Sequence, residues 1–238
     1  MQTNQFRLDR FIAKQCQIKK AAVRLMVAQK RITVNDLPPQ GVDQIICQFD
    51  KVCLDGKCFA YTKAKYFLLH KPVGVVSATK DDAHKTVLDL LSTDDASDLH
   101  IVGRLDLNTS GLVLLTNDGR FSKALMHPDA KVDKVYLVTL ANELTDEYAS
   151  AFAKGMEFSY EGITTMPAQL EIVSQKRALV TLQEGKYHQI KRMFGRFRNP
   201  VLALHRQSVG SFTLTDVAVG QYRALTQAEV EQVLSKTQ

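Results

Sequence analysis

The chain has no run of about 18 apolar residues, so no membrane-spanning helix is expected in its 238 residues. Its opening stretch, MQTNQFRLDRF, carries charge where a secretory signal needs an apolar segment, which points away from export and toward the cytoplasm. There is no G-x-x-x-x-G-K-[ST] loop and no G-x-G-x-x-G, which removes the common phosphate and dinucleotide cradles. A G-x-S-x-G elbow is also missing, so a serine hydrolase of that design is excluded. Histidine and cysteine nowhere fall at metal-ligand spacing. An enzyme built on this chain is expected to work with no cofactor and no metal.

Cysteine is sparse and confined. Cys16, Cys47, Cys53 and Cys58 all lie in the first 60 residues, with no Cys-x-x-Cys and no nearby histidine. In a cytoplasmic setting a disulfide is disfavoured, so all four are expected to be small buried hydrophobes.

What is present is ordinary globular material: 45 % hydrophobic and 24 % charged residues, ample for a core and too apolar for disorder. The net charge of +6 is unevenly distributed. Residues 1–65 hold 12 Lys and Arg against 5 Asp and no Glu, a net of +7, and the remainder is close to neutral. A small basic module on a neutral body suggests a polyanion-binding domain joined to an effector domain.

Periodicity supplies the elements. Leu8, Phe11 and Ile12, then Val23, Met26 and Val27, mark two short amphipathic helices. Lys20 and Arg24 share a face of the second. With Lys19, Lys30 and Arg31 they are expected to form one phosphate-neutralising surface. Ile32–Val34 reads as a strand, and Val52–Leu54, Asp55-Gly56 and 58–61 as a hairpin. Residues 61–65, YTKAK, read as a linker. Beyond it, strands are expected over 66–70, 73–77, 111–116, 134–140, 170–173 and 179–182. Helices are expected over 87–91, 121–126, 145–154 with Thr145 as N-cap, from about Tyr187, and over 229–234. Without a regular βαβ rhythm this is an α+β fold, mixed and mainly antiparallel, with helices flanking the sheet.

Four segments stand out. Gly103-Arg104-Leu105-Asp106-Leu107-Asn108-Thr109-Ser110-Gly111 places an acid and a base two apart in a polar loop before an apolar strand. On the residues alone, Asp106 either caps a turn or acts as a partly desolvated nucleophile or base. Lys71-Pro72-Val73-Gly74 ends a strand in a turn. In Lys134-Val135-Tyr136-Leu137-Val138, alternation puts Lys134, Tyr136 and Val138 on one face. From Tyr187, Ile190, Met193, Phe194 and Phe197 form a buried stripe. His188, Lys191, Arg192 and Arg196 lie off it, and His188 reads more naturally as a hydrogen-bonded structural residue.

Residues 1–60 resemble the S4 RNA-binding domain, through RLDRFIA at 7–13, the basic second helix, RITVN at 31–35 and VCLDGK at 52–57. KPxG, GRLDxxTSGLxLLTxDG, KxYxV and EGxYHQxKRMF, in that order over 66–238, resemble the bacterial ribosomal RNA pseudouridine synthases that modify the small subunit. The resemblance implies Asp106 as catalytic aspartate and Arg104 as the residue that helps to extrude the target nucleotide. It implies Tyr136 stacked on uracil and active in proton transfer, Lys191 in salt-bridge contact with the aspartate, and Leu204 against the base. It further implies 16S ribosomal RNA as partner within a small-subunit assembly intermediate, uridine 516 as the type of target, a monomer, and no membrane. A large-subunit synthase of the same fold and a non-catalytic RNA-binding assembly factor remain the alternatives.

Overall fold

The computed structural model describes residues 5–158 and 162–235. The chain divides into two compact units, one of residues 1–64 with 118–120, the other of 65–117 with 121–238.

In the first unit β1 (Gln5–Arg7) pairs antiparallel with β3 (Ile45–Cys47). Between them lie α1 (Leu8–Cys16), α2 (Lys20–Ala28) and β2 (Ile32–Val34). A three-stranded sheet has β4 (Val52–Leu54) between β2 and β5 (Lys57–Cys58). Leu8 and Ile12 of α1 and Val23 of α2 are buried against Ile32, Val34, Ile46 and Val52, so the two helical stripes and the strand faces share one small core. The β4–β5 turn runs through Asp55 and Gly56, both at positive φ, the conformation an Asp-Gly hairpin turn requires.

That turn overturns the cysteine expectation. It sets Cys53 and Cys58 directly opposite each other, and they are joined by a disulfide. Of the free pair, Cys47 is buried and Cys16 half-buried. Compartment and motif spacing say nothing of hairpin register, and register is what brings the two sulfurs together.

The larger unit is a nine-stranded mixed sheet. Its strands are β6 (Tyr66–Lys71), β7 (His100–Val102), β8 (Thr109–Thr116), β9 (Lys134–Leu140), β12 (Gln169–Ser174), β13 (Arg177–Leu182), β14 (Val201–Val209), β15 (Phe212–Thr213) and β16 (Tyr222–Ala224). The spatial order is β12-β13-β9-β14-β8-β6-β16, with β7 added to β8 and β15 to β14. A small ribbon of β10 (Glu157–Phe158) and β11 (Ile163–Thr164) stands apart. All the sheet's pairings are antiparallel except β14 with β8.

Alternation sorts the side chains into two layers. Phe67, Leu69, Val113, Leu115, Val138 and Val180 join a core covered by α5 (Asp146–Lys154) and α6 (Gln189–Gly195). Leu68, Leu112 and Leu114 join a second core covered by α4 (Gly119–Met126) and α7 (Gln227–Leu234). β8 is buried on both faces, as its unbroken apolar run requires. Where β8 meets β14, Gly111 has φ +122° and an added Cβ would lie 2.3 Å from the Arg206 carbonyl oxygen, so glycine is needed for the two strands to pair.

Two further expectations fail locally. Residues 73–77 are not a strand: Pro72 and the positive φ of Gly74 turn the chain, and only a single bridge from Val76 to Thr86 forms. Thr145 stands at the N-cap of α5 as expected, in extended conformation, although its side chain makes no capping hydrogen bond. The helix expected at 87–91 is a single 3₁₀ turn, Leu88–Leu90, followed by the one-turn α3 (Thr93–Ala96). Among the described residues no helix is long and apolar enough to cross a membrane.

Candidate active site

The GRLD segment forms a loop without regular structure, yet it is fastened at almost every second residue. Gly103 O accepts from Arg206 Nη2 at 2.6 Å, and Leu105 N–H donates to the buried Ser77 hydroxyl at 3.0 Å. Leu107 O accepts from Gly74 N–H at 2.9 Å, and Thr109 O from Lys71 Nζ at 2.7 Å. Lys71 and Gly74 of the KPVG turn thus grip the loop from behind. Arg206, also bonded to Leu112 O at 2.7 Å, holds its beginning. A loop so tied keeps the Asp106 side chain in one place, which chemistry on a bound base demands.

The Asp106 side chain is one-third exposed. Lys191 Nζ lies 3.3 Å from its Oδ2 and His188 Nε2 3.3 Å from the same oxygen. Both contacts fall on Oδ2. Among the described residues Oδ1 has no hydrogen-bond partner.

His188 and Lys191 reach this oxygen because α6 begins later than the periodicity predicts, at Gln189 rather than Tyr187. His188 sits at its N-cap with φ 50°, a left-handed conformation uncommon outside glycine. The buried Gln189 side chain secures the entry: its Oε1 accepts from Lys186 N–H at 3.0 Å and its Nε2 donates to Glu184 at 2.7 Å. Ile190, Met193 and Phe194 are buried as the stripe requires. Phe197 lies past the helix end and stacks on Tyr148 with ring centroids 4.1 Å apart.

A pocket of about 480 Å³, counting its open mouth, has Asp106 in its wall together with Tyr136, Leu204, Thr109, His188 and Lys191. Tyr136 and Leu204 are both 8 % exposed. Strand register explains their convergence: Leu204 on β14 pairs with Thr109 on β8 and with Val138 on β9, two residues from Tyr136. The Arg206 guanidinium lies 6.0 Å from the Tyr136 ring centre. Arg104 is exposed and lines the same pocket. Lys19, Lys20, Arg24, Lys30 and Arg31 belong to the other unit and are all exposed, but Arg31 forks onto Asp55 at 2.6 and 2.9 Å. Its charge is therefore already paired, unlike the free cation expected from the sequence.

From the residues alone His188 reads as structural, the turn that begins at Lys71 reads equally as a plain turn or as site lining, and Arg206 and Thr109 carry no signal of their own. For Lys71 and Arg206 the signal was available only as their place in motifs, since nothing in composition marks a lysine as buried.

The RNA pseudouridylate synthase family profile matches residues 65–195, more than half the chain, and the chain belongs to this family. It is accordingly an RNA pseudouridine synthase, an isomerase. Over 226 residues it is 43 % identical to the ribosomal small subunit pseudouridine synthase A of Pseudomonas aeruginosa, spanning 94 % of this chain and 98 % of that one. Over 231 residues it is 40 % identical to the protein of the same name from Escherichia coli strain K12, spanning 96 % and 100 %. A crystal structure of a pseudouridylate synthase superposes with a TM-score of 0.69 at 35 % identity, covering 96 % of this chain and 99 % of that one.

Proposed function

We propose that the chain isomerises a uridine of small-subunit ribosomal RNA, of the uridine 516 type, with Asp106 as the catalytic carboxylate. The observation that carries this reading is a carboxylate held on one oxygen by Lys191 and His188, with its other oxygen unbonded among the described residues, in a pocket walled by an aromatic ring and an aliphatic side chain. The names of the most similar relatives support the small subunit as target.

The reaction breaks the bond from ribose C1′ to uracil N1, turns the base, and forms a bond from C1′ to C5. The proton on C5 leaves and N1 gains one, so nothing is oxidised or reduced. Asp106 either attacks C1′ or removes the 2′ proton, and Lys191 and His188 steady its charge. Tyr136 stacks on the base and serves its C5 proton, Leu204 packs against its edge, and the narrow pocket keeps the detached uracil from escaping. Arg104 at the rim helps to hold the extruded nucleotide, a conformation that costs a few kcal/mol of unstacking. The S4-like unit contributes phosphate contacts that place the RNA. On this reading the chain works as a monomer in the cytoplasm, on 16S RNA within a small-subunit assembly intermediate.

Asp106→Asn is expected to give no pseudouridine from unmodified 16S RNA while binding that RNA with near-normal affinity. Product formation at the unaltered rate would refute the assignment. Mapping pseudouridine in both ribosomal RNAs with and without the gene identifies the position.

A further inference from the structure

The Thr109 side chain is the anomaly of the pocket. The residue is 1 % exposed, and its Oγ1 is buried with no hydrogen-bond partner. A hydroxyl taken out of water and left unpaired weakens the fold, and such groups are rare in native interiors. Nor can the residue swing away. Its N–H donates to Asp106 O at 3.1 Å, its carbonyl accepts from Lys71 Nζ at 2.7 Å, and its Cα is in register with Leu204. Thr109 is among the residues that line the pocket, beside Asp106, Tyr136 and Leu204.

We propose that the Thr109 hydroxyl is a substrate-binding group that donates a hydrogen bond to a carbonyl oxygen of the extruded uracil. The inference rests on the reading of this pocket as the catalytic one. Tyr136 and Leu204 offer apolar surface to a flat base, which leaves the polar edge of the base to be met by a neutral donor. The phosphates match the charged groups at the rim instead. The geometry of the reaction adds a second reason. Turning uracil over about the axis through N3 and C6 exchanges N1 with C5 and also exchanges the two carbonyl oxygens. A single fixed hydroxyl therefore bonds one carbonyl before the turn and the other after it.

The test uses the full chain in single turnovers on RNA carrying uridine, 2-thiouridine or 4-thiouridine at the target position. Thr109→Val is isosteric and removes only the donor. It is expected to slow turnover of uridine roughly tenfold, equivalent to about 1.4 kcal/mol. Its thermal midpoint should equal or exceed that of the unaltered protein, because no unpaired polar group remains buried. Thr109→Ser should restore the rate to within about threefold. Each sulfur, a poor acceptor, should slow the unaltered enzyme and add little to the deficit of Thr109→Val. A Thr109→Val enzyme as fast as the unaltered one, or one whose loss is fully additive with both sulfur substitutions, overturns the proposal. Asp106→Asn run alongside separates the failures, since an active Asp106→Asn removes the catalytic reading itself.

Discussion

Three cations lie almost wholly out of water in the strands that carry the site: Lys71 at the end of β6, Lys134 at the start of β9 and Arg206 in β14. Each is met by main-chain carbonyl oxygens, Lys71 by those of Pro72 and Thr109, Lys134 by those of Val132 and Gln183, and Arg206 by those of Gly103 and Leu112. Such groups are held in place of apolar side chains because they fix a loop that has no ladder of its own. Burial pushes the Lys71 ammonium down to about 8, the Asp106 carboxylate pulling against the drop and the Arg206 charge adding to it. From about pH 8 to the ordinary lysine value of 10.5 the unfolded chain holds a proton at this position that the folded chain has lost. Stability owed to Lys71 therefore rises with pH across that window and is constant below it. Urea unfolding of the unaltered protein and of Lys71→Met at pH 7, 9 and 10 should show their difference shifting toward the unaltered protein above pH 8, and a difference that stays flat contradicts the burial argument. Apart from its place in the motif, nothing in the KPVG sequence announces this role. A lysine at a strand end is normally solvated, and only the folded loop shows which carbonyls need a donor.

At the scale of elements, legibility follows the regularity of the side-chain pattern. β8 and β9 are readable because an unbroken apolar run and strict alternation survive folding intact, and Lys134, Tyr136 and Val138 do share a buried face. β14, nine residues in the middle of the sheet, gives no clean alternation. Irregularities between Val201 and Ala203 and between Arg206 and Ser208 shift its register, and its buried face includes a charged residue. The helix at 189–195 is readable from its stripe but its start is not, since His188 takes a left-handed conformation that its residue type does not announce. At α7 local chemistry decides. Thr226 and Glu229 form a reciprocal capping box, and Arg223 holds both Glu229 oxygens at 2.7 and 2.9 Å. The Arg223 hydrogen bonds, with those from Thr226, hold the Glu229 carboxyl at about 2, below its ordinary 4.5. A depressed carboxylate stabilises the fold fully above about pH 4.5 and loses that contribution as pH falls toward 2. Glu229→Gln should cost about 1 kcal/mol at pH 7 by chemical denaturation, with the deficit closing on acidification through that window. A deficit independent of pH would show that the charge is not what secures the helix.

At the scale of the whole molecule the charge is divided unevenly between the two units. The near-neutral unit carries the pocket, and the basic unit carries exposed cations, which on the proposed function serve long-range attraction to phosphate. Two cores on opposite faces of one sheet keep the larger unit rigid enough to present the loop. The smaller unit has a single modest core and is enriched in Lys and Arg at its surface. Composition alone revealed this asymmetry, because counting charge requires no knowledge of contacts. It could not reveal which of those charges are already taken. Arg31 is committed to Asp55, whereas Lys19, Lys20, Arg24 and Lys30 form no ion pair among the described residues. Replacing those four together by Gln in the full chain should therefore reduce the slope of log affinity for ribosomal RNA against log salt by about 3, at roughly 0.7 per released counterion on single strands. Arg31→Gln should change the slope by well under one, since its charge and that of Asp55 cancel at a distance. Equal effects from Arg31 and from each of the four would mean that RNA displaces Asp55 from its partner, and an unchanged slope in the fourfold variant would mean that the basic unit does not touch the phosphates at all.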